Sequence, residues 1–222
     1  MQLSTRLLKV AELVRHNTLV DIGTDHAHLP IFLAQRGRIS VGLATDIAQG
    51  PLKRGHKNAK DAGVAHIIRF HQGKGLAGVK IGFYETCTIT GMGGETIIAI
   101  LRDNIKVAKS FKQLILSPQR DALNLRRFLH SKGFAIHHEE IVEDGNKLYN
   151  ILDCKPNPEN PYNEAGYAFG QVLISNRHPL LSKLINLEIQ KLKNIPFNTL
   201  PPQRQTELEK YSKLCLEVLK CL

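Results

Sequence analysis

Short β-branched runs alternate with stretches of helical periodicity over residues 1–155, and no other feature of the chain constrains its fold as tightly. Strands separated by helices pair in parallel through crossovers, so the alternation demands βαβ units and a doubly wound, mostly parallel α/β sheet. Leu3, Leu7, Leu8, Ala11 and Val14 recur at helical spacing and predict a leading helix. Thr18–Ile22 reads as the first strand, and Pro30 sits in the first turn of a helix reaching Arg36, where its missing N–H is harmless. Ser40–Asp46 is the second strand. A helix then runs from Pro51 to a C-cap at Gly63. Ala65–Phe70 and Glu85–Thr90 are strands three and four. A helix over Gly94–Arg102, a fifth strand at Gln113–Ser117 and a helix around Ala122–Lys132 follow.

After Gly133 the pattern changes. Phe134–Val142 and Lys147–Asp153 flank an Asp-Gly turn and predict an antiparallel hairpin. Five parallel strands closed by such a hairpin is the order of a class I methyltransferase (Rossmann-like) sheet, not of a plain dinucleotide-binding dehydrogenase. The segment 155–164 holds three prolines in ten residues and breaks both helix and central strand, so it separates a domain over 1–155 from one over 160–222. In the second, Leu181, Ile185, Glu188, Leu192 and Ile195, then Leu208, Tyr211, Cys215, Val218 and Leu222, fall at coiled-coil seam intervals. Pro196, Pro201 and Pro202 force a turn between them. The expectation is an α-helical coiled-coil hairpin with arms of about 20 residues, preceded by a short helix near Glu164–Ser175.

Hydrophobic residues make up 42% and charged residues 23% of the 222, which excludes collagen-like and disordered classes. No apolar run approaches the ~18 residues of a membrane span, and MQLSTRLLKVAELVRH has no signal-peptide core. A cytoplasmic protein is expected. Four cysteines without a CxxC pair read as reduced thiols, not as a zinc site. Most of the net charge of +10 falls on residues 1–155, which suits a polyanionic partner such as nucleic acid.

The most informative segment is Val20-Asp21-Ile22-Gly23-Thr24-Asp25-His26. A glycine just past an apolar strand lets a ligand press on the backbone. Asp21 and Asp25 would repel a pyrophosphate, and the GxGxxG spacing is absent. A cationic ligand fits instead: S-adenosylmethionine carries a sulfonium and an α-ammonium. The alternative is that Asp25 merely caps the next helix. Asp46 ends the second strand 23 residues beyond Gly23, where an acid can take ribose hydroxyls. Gly91-Met92-Gly93-Gly94 opens a helix after strand four and leaves backbone N–H groups accessible, as a binding edge or any tight turn would. His26 and His28 beside Asp25 do not make a ligand set, and no metal is assigned.

DIGTDHAHLP, the Gly50-Pro51 helix start, Gly73-Lys74-Gly75-Leu76, ITGMGGE, LILSPQRDALNLRRFL, EEIVEDGNKLYNIL and FGQVLI resemble, in that order, the bacterial tRNA (adenine-22-N1)-methyltransferases. The resemblance implies a class I methyltransferase domain with a C-terminal coiled-coil domain, using S-adenosyl-L-methionine to methylate N1 of an adenine in the D-arm region of tRNA. It implies cofactor contacts at Asp21, Gly23, Thr24, Asp25 and His26, at Asp46 for the ribose, at Gly73 and Lys74, and at Gly91, Met92 and Gly93. The family usually has Glu where Asp46 stands, and Asp or Asn where Lys74 stands. Lys74 offers no acceptor for the adenine amino group, so backbone carbonyls replace it or the cofactor binds more weakly. A cofactor- and nucleic-acid-binding protein with another RNA target, or without turnover, is the alternative.

Adenine N1 has a free lone pair, so positioning supplies most of the rate and no base is obligatory. Asp25 is the candidate catalytic carboxylate, accepting from the target adenine's amino group as positive charge develops. The Watson–Crick edge must be exposed, so the base is unpaired or flipped. Tyr149 is the candidate stacking partner, with a hairpin-core tyrosine as the alternative. Phosphate contacts are expected from Arg6, Lys53, Arg54 and Lys57, and from a cluster of Arg120, Arg126 and Arg127, although any one of these can be an ordinary solvated residue. A monomer is expected.

Overall fold

The computed structural model describes residues 2–222 and divides into two compact units, one ending at Glu159 and the other spanning Asn160–Leu222. In the first, seven strands form one sheet: β1 (Thr18–Ile22), β2 (Val41–Asp46), β3 (Ile68–Gln72), β4 (Thr86–Met92), β5 (Gln113–Pro118), β6 (Phe134–Asp144) and β7 (Lys147–Pro156). Their order is β3-β2-β1-β4-β5-β7-β6. The first five are parallel, and β7 pairs antiparallel with both β5 and β6. Strands covered on both faces read as continuous apolar runs, and β5 is buried at all six positions.

Helices α1 (Thr5–Leu13), α2 (His28–Gln35), α3 (Gln49–Asp61), α4 (Gly94–Asp103), a single turn α5 (Ile105–Ala108) and α6 (Ala122–Ser131) connect and cover the strands. Ser4 caps α1, its hydroxyl accepting from the Leu7 N–H at 3.4 Å. The third strand starts later than Ala65 because a turn intervenes: Val64 N–H bonds the Ala59 carbonyl and Ile67 N–H the Val64 carbonyl. The β4–β5 register shifts between Thr90 and Met92, where Gly91 has φ +77°, a bulge at the carboxyl end of β4. The hairpin extends further than expected, with Asp144 opposite Lys147 across a turn at Gly145.

Arg126 corrects one expectation outright. It does not belong to a surface cluster: it is fully buried, its Nε donating to Glu139 Oε1 at 2.7 Å and its Nη2 to Asn150 Oδ1 at 3.2 Å. Consecutive helix residues point about 100° apart, so Arg127 is exposed while Arg126 faces the sheet.

The second unit contains α7 (Glu164–Phe169), α8 (Gln171–Ser175), α9 (Leu181–Lys193) and α10 (Pro202–Cys221). Asn163 caps α7, and Gly170 at φ +93° breaks the expected single helix in two. The first arm has 13 residues, not about 20; it ends at Lys193, ahead of Ile195, whose helical conformation Pro196 disfavours. Leu181 and Ile185 at the start of α9 and Cys215 and Val218 at the end of α10 are buried, as a hairpin of two antiparallel helices requires. All four cysteines are free thiols, only Cys221 being exposed.

Candidate active site

The carboxyl ends of β1, β2 and β4 meet where strand order reverses, the place at which open α/β sheets bind ligands. A cavity of about 570 Å³ lies there, within the size range of small-molecule sites. The turn after β1 supplies its floor. Gly23 has φ +68°, a conformation that strains residues with a Cβ, and a Cβ there would also displace the Met92 methyl. Gly23 N–H and Thr24 N–H both donate to the Thr45 carbonyl at 2.9 Å, and Ala27 N–H donates to Thr24 O at 2.9 Å. In a phosphate-binding turn such amides face the ligand. Here they are occupied within the protein, and carboxylates line the cavity instead.

Three carboxylates do so. Asp21 is buried and accepts from the Thr88 hydroxyl at 2.6 Å. Burial pushes its pKa up to about 6; the Thr88 hydrogen bond opposes the rise and the nearby Asp46 charge adds to it. Asp46 is held by backbone amides, Ala48 N–H to Oδ1 at 2.9 Å and Asp25 N–H to Oδ2 at 3.4 Å. Asp25 stands at the rim with φ 51° and a side chain 67% exposed, 3.5 Å from His26 Nε2. It does not cap the next helix: the N-cap of α2 is Ala27, at φ 57° and without a side-chain bond.

Gly73, Lys74 and Gly75 border the cavity, but the Lys74 ammonium turns outward to 3.5 Å from Asp103, with the side chain 82% exposed. Gly91 and Met92 line the wall; Gly93 and His26 are not lining residues. The glycine pair at the start of α4 has a packing reason. A Cβ on Gly94 would lie 2.5 Å from the Asp121 carbonyl, and Gly94 N–H is bonded to the Arg120 carbonyl rather than bare. His26 sits behind the rim, accepting at Nδ1 from Arg54 Nε at 3.2 Å, its ring 5.4 Å from that of His28.

Thr45, Ile47, Thr96 and Ile100 line the cavity although no sequence motif marks them, and His28, named above only as a rejected metal ligand, lines it too. Burial, then the neighbouring His26, lowers the His28 pKa. Ile47 is 71% exposed immediately after Asp46, and an apolar residue next to a ribose-type acid is a signal that sequence inspection could have used. Thr45 Oγ1 is buried and, among the described residues, has no hydrogen-bond partner.

Lys53, Arg54 and Lys57 are exposed on α3, and Arg120 and Arg127 are exposed near α6. Arg6 is not on that surface: it lines the cavity, its guanidinium 4.9 Å from the centre of the Tyr149 ring. Among the described residues no group of three His, Cys, Asp or Glu side chains could hold a metal ion, and no helix is long and apolar enough to cross a membrane.

The model of one protein family, tRNA (adenine(22)-N(1))-methyltransferase, matches residues 19–220. The chain belongs to that family. The Bacillus subtilis tRNA (adenine(22)-N(1))-methyltransferase is 29% identical over 201 residues, covering 88% of this chain and 84% of the relative. Among solved structures, Streptococcus pneumoniae Sp1610 in complex with S-adenosyl-L-methionine is 30% identical with a TM-score of 0.90, covering 98% of this chain and 100% of that one. Mycoplasma capricolum TrmK in complex with S-adenosyl-homocysteine is 26% identical with a TM-score of 0.87, covering 100% of this chain and 99% of that one. As a member of the tRNA (adenine(22)-N(1))-methyltransferase family, the protein carries the class I methyltransferase sheet at the size of its relatives.

Proposed function

We propose that this chain transfers the methyl group of S-adenosylmethionine to N1 of adenine 22 in tRNA. The observation that carries the reading is the turn after β1, whose Gly23 and Thr24 amides are consumed by Thr45 while Asp21, Asp25 and Asp46 face the cavity. Such a turn repels a pyrophosphate and attracts a sulfonium with an ammonium. The residues fit that cofactor: Asp46, held by two amides, accepts from the ribose diol, the partnerless Thr45 hydroxyl offers one more polar contact, and Asp21 and Asp25 offset positive charge. When bound, S-adenosylmethionine would supply an electrophilic methyl to adenine N1, the S–CH3 bond breaking to leave neutral S-adenosylhomocysteine.

The protein's own share is placement and charge. Asp21 stays in place through Thr88, so its charge is fixed before the ligand arrives and needs no reorganisation. Asp25, at the rim and two-thirds exposed, is positioned to accept from the exocyclic amino group of the target adenine as the base becomes cationic. No general base is needed, because N1 loses no proton. Lys74 does not obstruct the cofactor, since its ammonium turns to Asp103. The basic face of α3, carrying Lys53, Arg54 and Lys57, is suited to tRNA phosphates.

The test uses two unmodified tRNA transcripts that differ only in A or G at nucleotide 22, with labelled S-adenosylmethionine. Label should appear as 1-methyladenosine in the A transcript alone, read by nucleoside mass spectrometry. Equal labelling of both, or none, would refute the assignment.

A further inference from the structure

Of the three carboxylates in the cavity, two are fastened within the protein and one stands at its edge. Asp21 is held by the Thr88 hydroxyl and Asp46 by backbone amides, whereas the Asp25 side chain is 67% exposed. A carboxylate that meets developing charge has to be aimed, because a misplacement of about 1 Å can cost ~100-fold in rate. The backbone under Asp25 is built for aiming. Asp25 and Ala27 are both left-handed, at φ 51° and 57°. Residues with a Cβ stay so only where their surroundings over-determine them, and they gather at functional sites. Helix α3 supplies those surroundings: Asn58 Nδ2 donates to the His26 carbonyl at 3.2 Å, and a Cβ on Gly55 would lie 3.1 Å from Ala27 Cβ.

The imidazole between those two residues has its nitrogens on different partners. Arg54 Nε donates to His26 Nδ1 at 3.2 Å, and His26 Nε2 lies 3.5 Å from Asp25 Oδ1. A guanidinium can only donate, so Nδ1 is the acceptor and the ring carries its proton on Nε2, toward the carboxylate. Arg54 is exposed on the face of α3 that carries Lys53 and Lys57. Spending Nε on His26 leaves its Nη1 and Nη2 donors to an outside acceptor, and such a fork matches a phosphate. We infer that His26 is a positioning residue rather than a cofactor contact: it aims the Asp25 carboxylate at the amino group of the target adenine, while Arg54 fixes its tautomer and grips a tRNA phosphate. Docking of the RNA backbone on α3 and placement of the carboxylate are linked through one ring. This rests on the proposed function above.

The experiment follows single-turnover methylation of a transcript with adenine at nucleotide 22 over a range of enzyme concentrations, alongside calorimetry with S-adenosylhomocysteine. His26→Phe keeps a ring and removes both nitrogens. Its maximal rate should fall roughly 10- to 100-fold, the cost of a misplaced group, with S-adenosylhomocysteine affinity within about twofold of wild type. His26→Gln retains an acceptor and a donor and should recover part of the rate. In an Asp25→Asn background His26→Phe should cost almost nothing further, since the carboxylate it aims is gone. Arg54→Gln should lower the maximal rate and raise the half-saturating concentration together, whereas Lys57→Gln should raise only the latter. Additive losses in the Asp25–His26 double variant overturn the inference. So does a His26→Phe protein whose S-adenosylhomocysteine affinity falls in step with its rate, which would return His26 to cofactor binding, or an Arg54→Gln protein that behaves like Lys57→Gln. If His26→Phe does not fold, the comparison of Arg54→Gln with Lys57→Gln decides alone. Failure of the proposed function looks different: wild type would then leave the transcript unmethylated, and the inference would fall with it.

Discussion

Keeping Asp21 ionised at neutral pH costs the ligand-free protein at most about 3 kcal/mol, the equivalent of a carboxyl pKa raised from 3.8 to about 6. A raised folded-state pKa means that the proton stabilises the fold fully below the unfolded value and that this contribution is lost as pH rises through about 6. Asp21→Asn keeps the shape and can still accept from Thr88, but carries no charge to desolvate. It should raise the unfolding free energy measured in urea by about 1–2 kcal/mol at a pH near 8, the gain fading toward pH 4, while weakening cofactor binding. A variant less stable than wild type near pH 8 contradicts this account, as does a cofactor affinity left intact. At this scale the sequence was informative where spacing alone locates an atom: Asp21 and Gly23 at the end of β1 and Asp46 at the end of β2 follow from strand ends. It was silent where position depends on a distant segment folding over, as with Arg6 on α1 reaching Tyr149 on β7. Arg126 had a legible signal, because it shares a buried stripe with Leu125 and Leu129 on α6. Counting arginines as surface charge hid it.

Between elements, the buried Arg126–Glu139 pair ties α6 to the terminal hairpin. Removing one partner leaves an uncompensated buried charge, which costs roughly 3–5 kcal/mol. Arg126→Met should therefore lower stability by about that much in urea unfolding, and adding Glu139→Leu should recover most of it. The salt dependence of tRNA binding should not change in the double variant, since neither group meets solvent. A flattened salt slope would put Arg126 at the RNA after all. The strand sequence and the hairpin were readable because β1, β2 and β5 are buried along most of their length and each run is bounded by a turn signal. The start of β3 was not, because Ala65–Ile67 is apolar enough for a strand but is taken into the turn after α3. The one-turn α5 and the break at Gly170 arise from packing and a single left-handed residue, neither of which leaves a period to detect.

Across the whole molecule, charge and cavity belong to the same part of the chain. Every residue lining the cavity lies in the unit ending at Glu159, and so does most of the +10 surplus. That unit also has a natural end: Glu159 Oε1 accepts from the Ile136 N–H at 2.7 Å and lies 2.6 Å from His130 Nε2, so the last residues before the boundary are fastened to the sheet. The unit Asn160–Leu222 is nearly neutral and presents helical faces whose seam positions are only half-buried beyond Ile185 and before Cys215. On the proposed function, long-range attraction of tRNA would fall to the first unit, and shape contacts are what the second could add. A chain ended after Glu159 should keep S-adenosylhomocysteine affinity within about twofold and keep the slope of log K against log salt, since the counterions released are those displaced by its own lysines and arginines. Its kcat/KM for tRNA should fall at least about tenfold, the effect of losing ~1.4 kcal/mol of transition-state contact. Calorimetry, a salt titration and a methylation assay on the same preparation separate the terms. A slope that collapses on truncation would assign the phosphate contacts to the helical unit, and an undiminished kcat/KM would leave that unit with no part in docking the substrate.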